Sequence, residues 1–582
     1  AEDGRLTVSA QTDTDVTTYA LSAGAALVGV SGAALVPVID TSTTAEIANP
    51  TDEEDAPGAD VAAKAVKVDA TTKNEFDLNA AGATAGAVAA GMALTFALSE
   101  STTTAEIAGS AEVTDNGALG CNVDGGVTVT AFTTNRFDTT AAGTSAGGFG
   151  LAGTASLIAV KGSTTAAVDN ADVGVDEDGD SDPVDGGVKV EAAETLDVTS
   201  DPGAGVFGGS GAAGSIAALA AQSEIKAKIT GGTVNTDGAL DVVAARQTDV
   251  DLTPRALGAT SGLGIAGTAG LILIGDGPDG RAAAQLDFSA EGDKSRYDDG
   301  GENEDGNGES IVDTLEGIAN PGDSSGSRTA ATGSTIGQST GQTRSGETLD
   351  TRTSRDVGDT VMSPDAHKTV AEITGQSEID AASLTLDSRA RADLNVLPEA
   401  TGVGVGTAGL GASLAYVRAA SDLDAKIGAG AEVTTGGDIV LKARVQNPQP
   451  EEDQSTAGPS VKAQTTAAGL GNLGLAGAFS NVGIDNDVTA RLAGDLEGSP
   501  TSVSVTASDP SDAQVMTLGE AGAITAGVGA SIADAHKASQ AEALIADDLS
   551  VDTDAVVVTA DATGDLTVNS EAAAGGIGVA AT

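Results

Sequence analysis

The chain has 582 residues, and its 28 Lys and Arg against 85 Asp and Glu give a formal net charge of −57 at pH 7. Nucleic acid and anionic membrane surfaces are therefore disfavoured as partners, because binding to either requires clustered basic residues. Aromatic residues make up 2% of the chain and Trp is absent, which argues against the aromatic-rich core of an ordinary globular enzyme.

Two short signatures recur along the chain. The first is Val-x-Ala or a close variant and ends at Ala10, Ala70, Ala131, Ala192, Ala244, Ser388, Ala443, Ala507 and Ala560. The second is Ala-x-Ile or a close variant and begins at Ala45, Ala105, Ala166, Ala227, Ala371, Ala425, Ala490 and Ala543. In the first four units 35 residues separate the first signature from the second, and 17 or 18 residues lead back to the first signature in the last five. The basic unit is therefore 52 residues, used about eight and a half times, which is typical of a repeat protein.

Additional residues interrupt the unit at a few places, after which the pattern resumes in phase. Acidic or turn-rich additions lie at 51–59 and around 115–124 and 176–185, a Pro-, Gln- and Glu-rich addition lies at 447–460, and the unit of Ser388 contains a slip of two residues. Segments of constant length between variable corners are typical of a solenoid with looped corners.

A large polar insertion, rich in Gly, Ser, Thr and Asp, divides the chain. We expect repeats over 1–275, the insertion within one repeat over 276–368, and repeats again over 369–582. The composition of the insertion is that of a disordered segment. We expect it to dock on the repeats or on a neighbouring copy, the alternative being a plain corner loop.

Each unit contains three parts. An alternating run such as 127–131 predicts a half-buried strand, a Gly/Ala block such as 80–98 follows, and a Thr/Ala/Ile strand such as 103–107 comes last. The block is apolar enough to rival a transmembrane helix, but its many Gly, Thr and Ser are costly in a helix and its flanks are acidic. We therefore expect no transmembrane segment, and strands that pack through Gly and Ala at less than the usual ~10 Å.

Together these patterns predict an all-β fold, a parallel β-solenoid (β-helix) rod of about eight and a half 52-residue repeats with insertions at its corners. The sequence leaves open whether the unit is one wide coil, two coils of about 26 residues or three of about 17. A chain of small β-sandwiches is the alternative, but 52 residues with so few large apolar side chains form too small a unit to fold alone.

The single cysteine, Cys121, cannot form an internal disulfide, which is compatible with a secreted or a cytosolic protein. The chain begins Ala1-Glu2-Asp3, without a basic and apolar leader, and its last unit stops inside a Gly/Ala block. We therefore expect a segment of a longer protein with no cap at either end. The expected partners are further repeats of that protein, other copies bound end to end or laterally, and a cell surface or matrix.

The Val-Thr-Val-Thr-Ala strands, the Ala/Gly blocks, the Thr-Thr-Ala-Glu-Ile runs and the acidic corner turns resemble the repetitive stalks of large bacterial surface adhesins, of the filamentous-haemagglutinin-like and leukotoxin-like kind. The resemblance covers nearly the whole chain apart from the polar insertion, and its motifs are compositional. It implies secretion, a β-helical rod, and a role in attachment, aggregation or matrix. The sequence contains no secretion domain and no known receptor-binding motif.

Few residues suit catalysis. The two histidines, His367 and His536, fall in different units, and we expect each to be a solvated surface residue. His-rich and paired-Cys zinc motifs are absent from the sequence. We therefore assign no catalytic and no organic cofactor-binding residues.

Calcium is the best candidate ligand. Four aspartates alternate within one acidic turn: Asp176, Asp178, Asp180 and Asp182. Their oxygens suit a hard cation that takes six to eight oxygen ligands, although Ser181 stands where an EF-hand requires Gly and no Glu closes the loop. A looser acidic run contains Asp298, Asp299, Glu302 and Glu304. Both runs are predicted to bind Ca²⁺, the alternative for each being a plain solvated turn.

These observations favour a non-enzymatic, extracellular structural protein, the rod of a bacterial surface adhesin or fibre that serves attachment, aggregation or matrix. The rod either continues in a longer protein or polymerises end to end into a filament. One alternative is a β-helical enzyme that acts on polysaccharides, which would need basic and aromatic side chains along a groove. The other is a module that binds ice or a mineral surface through flat arrays of Thr. The Thr-Thr pairs at Thr43, Thr103 and Thr164 would begin such an array, but later units lose them.

Overall fold

The structure, a computed structural model, describes residues 5–48, 60–63, 65–109, 112–114, 126–175, 183–275, 367–448, 460–546, 552–576 and 579–581. This part of the chain is all-β and contains no helix. Its strands are β1 (Arg5–Ala25), β2 (Val28–Leu35), β3 (Val38–Ala48), β4 (Asp60–Ala62), β5 (Ala65–Ala108), β6 (Glu112–Thr114), β7 (Val127–Asp169), β8 (Asp172–Val173), β9 (Val188–Thr230), β10 (Thr233–Leu252), β11 (Arg255–Thr260), β12 (Leu263–Ile274), β13 (Lys368–Thr374), β14 (Glu378–Val396), β15 (Glu399–Ile427), β16 (Glu432–Thr435), β17 (Asp438–Gln446), β18 (Val461–Leu492), β19 (Asp495–Gly498), β20 (Ser502–Asp509), β21 (Ala513–Lys537), β22 (Gln540–Ile545), β23 (Ala555–Ala562), β24 (Leu566–Gly576) and β25 (Val579–Ala581).

Each repeat contains two long arms, which the second repeat illustrates. Its outgoing arm (65–85) and its return arm (88–108) both belong to β5, and the chain reverses direction between them at a tip formed by Gly86 and Ala87. Buried and more exposed side chains alternate along both arms, because one side of each arm lies against the other arm. The arms therefore form two facing layers with a core between them.

The two signatures form continuous parallel ladders between repeats. The residues of the first signature, from Ala10 to Ala560, each pair with their equivalent in the next repeat. The second signature does the same, so that Ala45 pairs with Ala105 and Ala105 pairs with Ala166. The register that the sequence spacing predicted is confirmed. Since the paired residues stand one whole unit apart along the chain, the unit is not divided into two or three stacked turns.

A third ladder, which the three predicted parts of the unit do not include, lies at the base of the described repeats. Its short strands include β4, β6, β8, β16 and β19, which pair in parallel with their equivalents in neighbouring repeats. Before this ladder the chain turns through a left-handed residue, Gly109, Gly231 or Gly375 in three repeats and Asn170 in another. Glycine and asparagine tolerate this conformation best, which explains their recurrence at this corner.

The predicted interruptions fall between strands or at bulges. Residues 49–59, 115–125 and 176–182 lie outside the described residues. The two-residue slip in the unit of Ser388 is a bulge at the tip, where Gly404 and Ala408 pair with Gly471 and Leu473. Residues 276–366, most of the polar insertion, also lie outside the described part.

The space between the arms holds two larger hydrophobic clusters. One joins the two signatures and contains Val68, Ala70 and Ile107 with their equivalents, and the other lies closer to the tip and contains Phe76 and Leu78. Phe76 stacks on Phe137 of the next repeat with ring centroids 4.5 Å apart. Beyond them towards the tip the buried apolar residues are nearly all alanines.

Near the tip, the arms approach more closely than any side chain would allow. A Cβ atom added to Gly82 would lie 2.0 Å from the carbonyl oxygen of Met92 in the opposite arm, and one added to Gly469 would lie 2.0 Å from that of Leu475. Glycine is required at these positions because a Cβ at that distance overlaps the opposite backbone. This confirms the prediction that strands pack face to face through glycine and alanine.

Candidate functional site

None of the predicted calcium ligands can be placed. Asp176, Asp178, Asp180 and Asp182 lie outside the described residues, and so do Asp298, Asp299, Glu302 and Glu304. Among the residues that the structure describes, no three His, Cys, Asp or Glu side chains group in a way that could hold a metal ion. The calcium sites therefore stay predictions from sequence.

A seam of polar side chains runs through the interior, between the two larger hydrophobic clusters. We call the following residues the polar seam: Thr12, Thr43, Thr72, Thr103, Thr133, Thr164, Glu194, Ser223, Arg246 and His367. They come from both arms of the first five repeats and project inwards. Polar groups in such a place must find partners within the protein, because the surrounding core excludes water.

In the first three repeats the polar seam is a chain of threonine hydroxyls that crosses between the arms. Thr72 Oγ1 donates to Thr43 Oγ1 at 2.9 Å, and Thr103 Oγ1 donates to Thr72 Oγ1 at 2.7 Å. Thr133 Oγ1 lies 2.8 Å from Thr103 Oγ1 and 2.7 Å from Thr164 Oγ1. Thr43, Thr103 and Thr164 are thus buried between the arms and cannot present a hydroxyl array to ice or a mineral.

Where the threonine chain ends, the polar seam becomes ionic. Glu194 and Arg246 occupy equivalent positions in adjacent outgoing arms and are both buried. The Arg246 guanidinium donates to the Ser223 carbonyl oxygen at 2.7 Å, to the Lys368 carbonyl oxygen at 2.8 Å and to the His367 carbonyl oxygen at 3.1 Å. Arg246 therefore fixes the return arm at the point where the described chain resumes after the polar insertion.

Burial has the largest effect on the pKa values of Glu194, Arg246 and His367. It raises the pKa of the Glu194 carboxyl, against the opposing effects of the Arg246 charge and the Ser223 hydroxyl. It lowers the pKa of Arg246 to about 10, a shift that the Glu194 and Asp422 charges oppose. Burial, reinforced by the Arg246 charge, holds the pKa of His367 well below its usual value. His367 is therefore neutral at pH 7, and its Nδ1 accepts the Ser223 backbone N–H at 3.3 Å.

The expected solvated state of His367 is wrong, since only 2% of the residue is exposed. His536 is half-buried and contacts the Arg418 guanidinium. A cavity of about 30 Å³ adjoins Arg246 and His367, enough for one or two water molecules. The hydrogen bonds of Arg246 cross from the outgoing arm to the return arm, so the polar seam is suited to holding the arms together.

A second buried ionic group lies towards the other end of the ladders. Asp509 is completely buried, and its carboxylate lies 3.3 Å from the Lys537 ammonium nitrogen and 3.3 Å from Asn486 Nδ2. The Ser511 backbone N–H and hydroxyl also donate to Asp509. The carboxylate is thus paired and fully hydrogen-bonded, which is the arrangement that offsets the free energy of burying a charge.

An extensive feature open to solvent is the outer surface of the described return arms. We call the outward-facing residues of four adjacent ladder columns the apolar face: Val28, Val88, Phe149, Ser210, Leu263, Ala408, Leu473, Ala526 and Val579; Val30, Ala90, Leu151, Ala212, Ile265, Leu410, Leu475, Val528 and Ala581; Gly32, Met92, Gly153, Gly214, Gly267, Ala412, Gly477 and Ala530; Ala34, Leu94, Ala155, Ile216, Ala269, Leu414, Phe479 and Ile532. Ser210 is the one polar residue among them, and no charged residue interrupts the set. All of them are exposed or half-buried.

The charges lie elsewhere. On the outer side of the outgoing arms, ion pairs form within and between repeats, such as Lys73 with Glu75 at 3.0 Å and Arg136 with Asp197 at 3.7 Å. The base half of the return arms is also charged, and there Lys161 pairs with Glu100 at 3.3 Å. The repeat is therefore amphipathic on its outer surface, with one continuous uncharged patch on the tip half of the return arms.

The apolar face is not flat, because its columns differ in side-chain size. Its third column consists largely of glycine and alanine, and the large side chains of the second and fourth columns stand on either side of it. A groove of about 310 Å³ lies along the second and third columns and is lined by Ile265, Leu410, Ala412, Leu475, Gly477 and Val528. Its floor is formed by small residues and its wall by large aliphatic side chains.

The sequence contained signals for both features that the sequence analysis missed. Glu194 lies two residues after Ala192, and Arg246 lies two residues after Ala244. Since the signature alanines face inwards, a strand places residues two positions away on the same side. The residues of the apolar face also lie two positions apart along each strand. Both sides of the Gly/Ala block are apolar, however, so composition did not distinguish the outward side from the inward side.

Within the described residues, no helix has the length and apolar character needed to cross a membrane. Comparison of the chain with protein-family models, with curated proteins and with solved structures finds no match.

Proposed function

We propose that this chain is a non-enzymatic structural segment of an extracellular bacterial protein, in which a parallel β-solenoid forms the rod of a surface adhesin or fibre. The observation that carries the proposal is the unbroken pairing of both signatures, from Ala10 to Ala560 and from Ala45 to Ala543. A structure in which each repeat contacts only its neighbours grows in length without changing its cross-section. Length is what a stalk requires.

In this proposal each 52-residue unit is one wide coil of the solenoid. At the ~4.8 Å spacing of hydrogen-bonded strands, nine coils extend the axis by about 43 Å. The insertions leave the coil at its base or within an arm and do not disturb the ladders on either side of them. Loops at those positions can vary freely, as surface loops on a rigid scaffold usually do.

The interior supports a structural role. The polar seam is buried between the two arms and joins them through hydrogen bonds, such as those from Arg246 to the Ser223 and Lys368 carbonyl oxygens. The net charge of −57 keeps a long assembly soluble and attracts divalent cations. The adhesin assignment itself rests on the composition of the strands, the Gly/Ala blocks and the corner turns.

Calcium binding at Asp176, Asp178, Asp180 and Asp182 is part of this proposal and rests on the alternating spacing of their carboxylates. The ends of this turn are held by strands, because Val173 pairs with Val234 and Val184 forms a bridge with Thr236. A cation there would neutralise repulsion among the four carboxylates. It would stiffen one corner of the coil.

The location is tested on intact cells of the source bacterium. Antibodies against the purified chain should label unpermeabilised cells, and deletion of the gene should reduce aggregation or attachment. Labelling confined to permeabilised cells would exclude a surface adhesin. The solenoid is tested by diffraction from oriented material, where a reflection near ~4.8 Å should lie along the long axis.

A further inference from the structure

The tip half of the return arms distributes its side chains against the usual rule for soluble proteins. In the second repeat the inward positions Ala89, Gly91 and Ala93 are small, whereas the outward positions include Val88 and Met92. The inward glycine is required by the close approach of the outgoing arm. The larger apolar side chains therefore face away from the core, where in a monomer they gain little from the hydrophobic effect.

Exposure of these residues is extensive across several repeats. Phe149 and Leu151 are each 45% exposed, Ile216 is 45% exposed and Ile532 is 59% exposed. Contiguous apolar patches of more than a few hundred Å² are rare on soluble monomers and mark interaction surfaces. We propose that the apolar face is a self-association interface, through which two copies of this chain pack face to face.

The area of the apolar face is sufficient for a stable dimer. Four columns spaced two residues apart and nine repeats spaced by ~4.8 Å cover on the order of 1,100 Å² on each copy. A specific interface of ordinary size buries about 800 Å² on each partner. The patch therefore exceeds the usual requirement, even if the outermost rows do not take part.

The relief of the apolar face is complementary to itself. When two copies meet about a two-fold axis, the ridge formed by Leu410, Leu475 and their equivalents can enter the groove above Ala412 and Gly477 of the other copy. Both copies have the same spacing between rows, so neighbouring large side chains such as Leu410 and Leu475 can enter neighbouring small positions such as Ala412 and Gly477 together. Interdigitated strand faces of this kind pack densely and exclude water.

The distribution of charge also favours the apolar face as the surface of contact. Two chains of net charge −57 repel each other, and the charged outer sides of the outgoing arms cannot approach closely. The apolar face contains no charged residue, so two copies can meet there without burying an ion. Because the described residues form one such face, association through it closes at a dimer.

A second copy fits this surface better than a lipid bilayer does. The apolar face is flanked on the same arms by Glu100, Asp422 and Asp485, which would lie close to lipid headgroups. Its alternating ridge and groove also match a rigid surface of the same spacing, whereas a fluid bilayer has no fixed relief. A lipid partner is therefore treated as an outcome of the test.

The inference is tested on the full chain by sedimentation velocity and light scattering over a concentration series. The native chain should behave as a species of twice the 56.2 kDa chain mass at micromolar concentration. A variant with Leu410→Glu and Leu475→Glu should lose the dimer, because it would bury charges in the interface. The matched control, Thr401→Glu with Gln464→Glu, adds the same charge to the outgoing arms of the same repeats and should remain dimeric. Far-ultraviolet circular dichroism and thermal melting check that both variants are folded.

A native chain that is monomeric throughout the series would overturn the inference, and so would a charged-face variant that is folded and still dimeric. A monomer that floats with phosphatidylcholine vesicles, where the charged-face variant does not, would assign the face to lipid and reject a second copy. The inference deepens the proposed function by naming a partner. Its outcome is separate from that of the cell-labelling experiment, because a chain can dimerise whether or not it lies on a cell surface.

Discussion

Glu194 and Arg246 are register partners in the parallel ladder of the outgoing arms, and each is only 4% exposed. Their neighbours in earlier repeats at the same position are threonines that form neutral hydrogen bonds. The pair thus marks the place where the interior of the stack changes from neutral to ionic. It also coincides with the point at which the return arm resumes after the polar insertion, at His367 and Lys368.

Arg246→Met should destabilise the protein by about 3–5 kcal/mol, because the buried Glu194 carboxyl would lose the favourable effect of the Arg246 charge and three carbonyl oxygens would lose a donor. The measurement is the urea midpoint, converted with the slope of the native chain. Arg136→Met is the control, since Arg136 is more than half exposed and its two ion pairs are 3.7 and 3.9 Å long. Its effect should stay within about 1 kcal/mol. Equal losses in the two variants would contradict a special role for Arg246.

Thr103→Val should destabilise the protein by about 1–3 kcal/mol, although it preserves the shape and the β-branching of the side chain. Thr103 donates to Thr72 and accepts from Thr133, so the substitution breaks the hydroxyl chain at its centre. Thr104→Val alters the adjacent residue, which faces outwards, and should change stability by less than about 0.5 kcal/mol. Thermal melting of the two variants provides the comparison. A larger effect at Thr104 would show that the hydroxyl chain adds nothing.

Gly82→Ala should separate the arms near the tip. Its Cβ would lie 2.0 Å from the Met92 carbonyl oxygen, which belongs to backbone and cannot swing aside. We expect a loss of about 1–3 kcal/mol and faster amide exchange on both sides of the tip. Gly203→Ala is matched in chemistry, but nothing lies within 4 Å of its added Cβ, so it should be neutral or slightly stabilising. Unchanged exchange in Gly82→Ala would mean that the arms are not held this close.

The ladder register could be predicted from sequence because it depends on spacing alone. Ala45 and Ala105 stand at the same point of consecutive units, and a ladder of identical small residues tolerates no offset. The number of coils per unit could not be predicted, because spacings of 35 and 17 are compatible with several ways of folding one unit. That choice is made by the tip, where glycines such as Gly82 allow a single reversal and two arms of about 20 residues.

The interior and exterior chemistry was harder to predict. Glu194 and Arg246 are two charged residues among 113 Lys, Arg, Asp and Glu in the chain, and only their parity relative to Ala192 and Ala244 distinguishes them. His367 was expected on the surface because it borders a polar insertion, yet the return arm resumes one residue later, at Lys368, and buries it. In the Gly/Ala blocks, packing decides which apolar residues face out, since only the smallest fit between the arms.

Removal of calcium should loosen one corner if the acidic turn at 176–182 binds the ion. Titration of the chelator-treated chain with Ca²⁺ should show a saturable site, and added Ca²⁺ should raise the melting temperature by mass action. Asp178→Asn combined with Asp180→Asn should abolish both effects. A second variant, Asp299→Asn with Glu302→Gln, alters only the looser acidic run and so tests that run separately from the turn at 176–182. A native chain that melts at the same temperature with Ca²⁺ and with a chelator would exclude a stabilising site in either run.

The burial of His367 should make stability depend on pH in the mildly acidic range. Its folded pKa lies well below the ordinary value of 6.5, so below pH 6.5 the unfolded chain binds a proton that the folded chain does not. Stability is therefore lost as the pH falls from about 6.5 towards the folded pKa, by at most about 1.4 kcal/mol per pH unit.

His367→Gln tests this, because it keeps a polar group of similar size that does not titrate. The native chain should lose more stability than this variant between pH 7.5 and 5.5, measured by urea denaturation at each pH. The comparison is needed because the pKa of Glu194 is raised in the folded protein. Its contribution to the free energy of unfolding therefore has the opposite pH dependence and is lost as the pH rises. His536→Gln is the control, since His536 is half-buried and its pKa is lowered by partial burial and the Arg418 charge. The His536→Gln variant should remove a smaller part of the pH dependence. If the stability of the native chain and that of His367→Gln change in parallel with pH, His367 titrates as freely in the folded protein as in the unfolded chain.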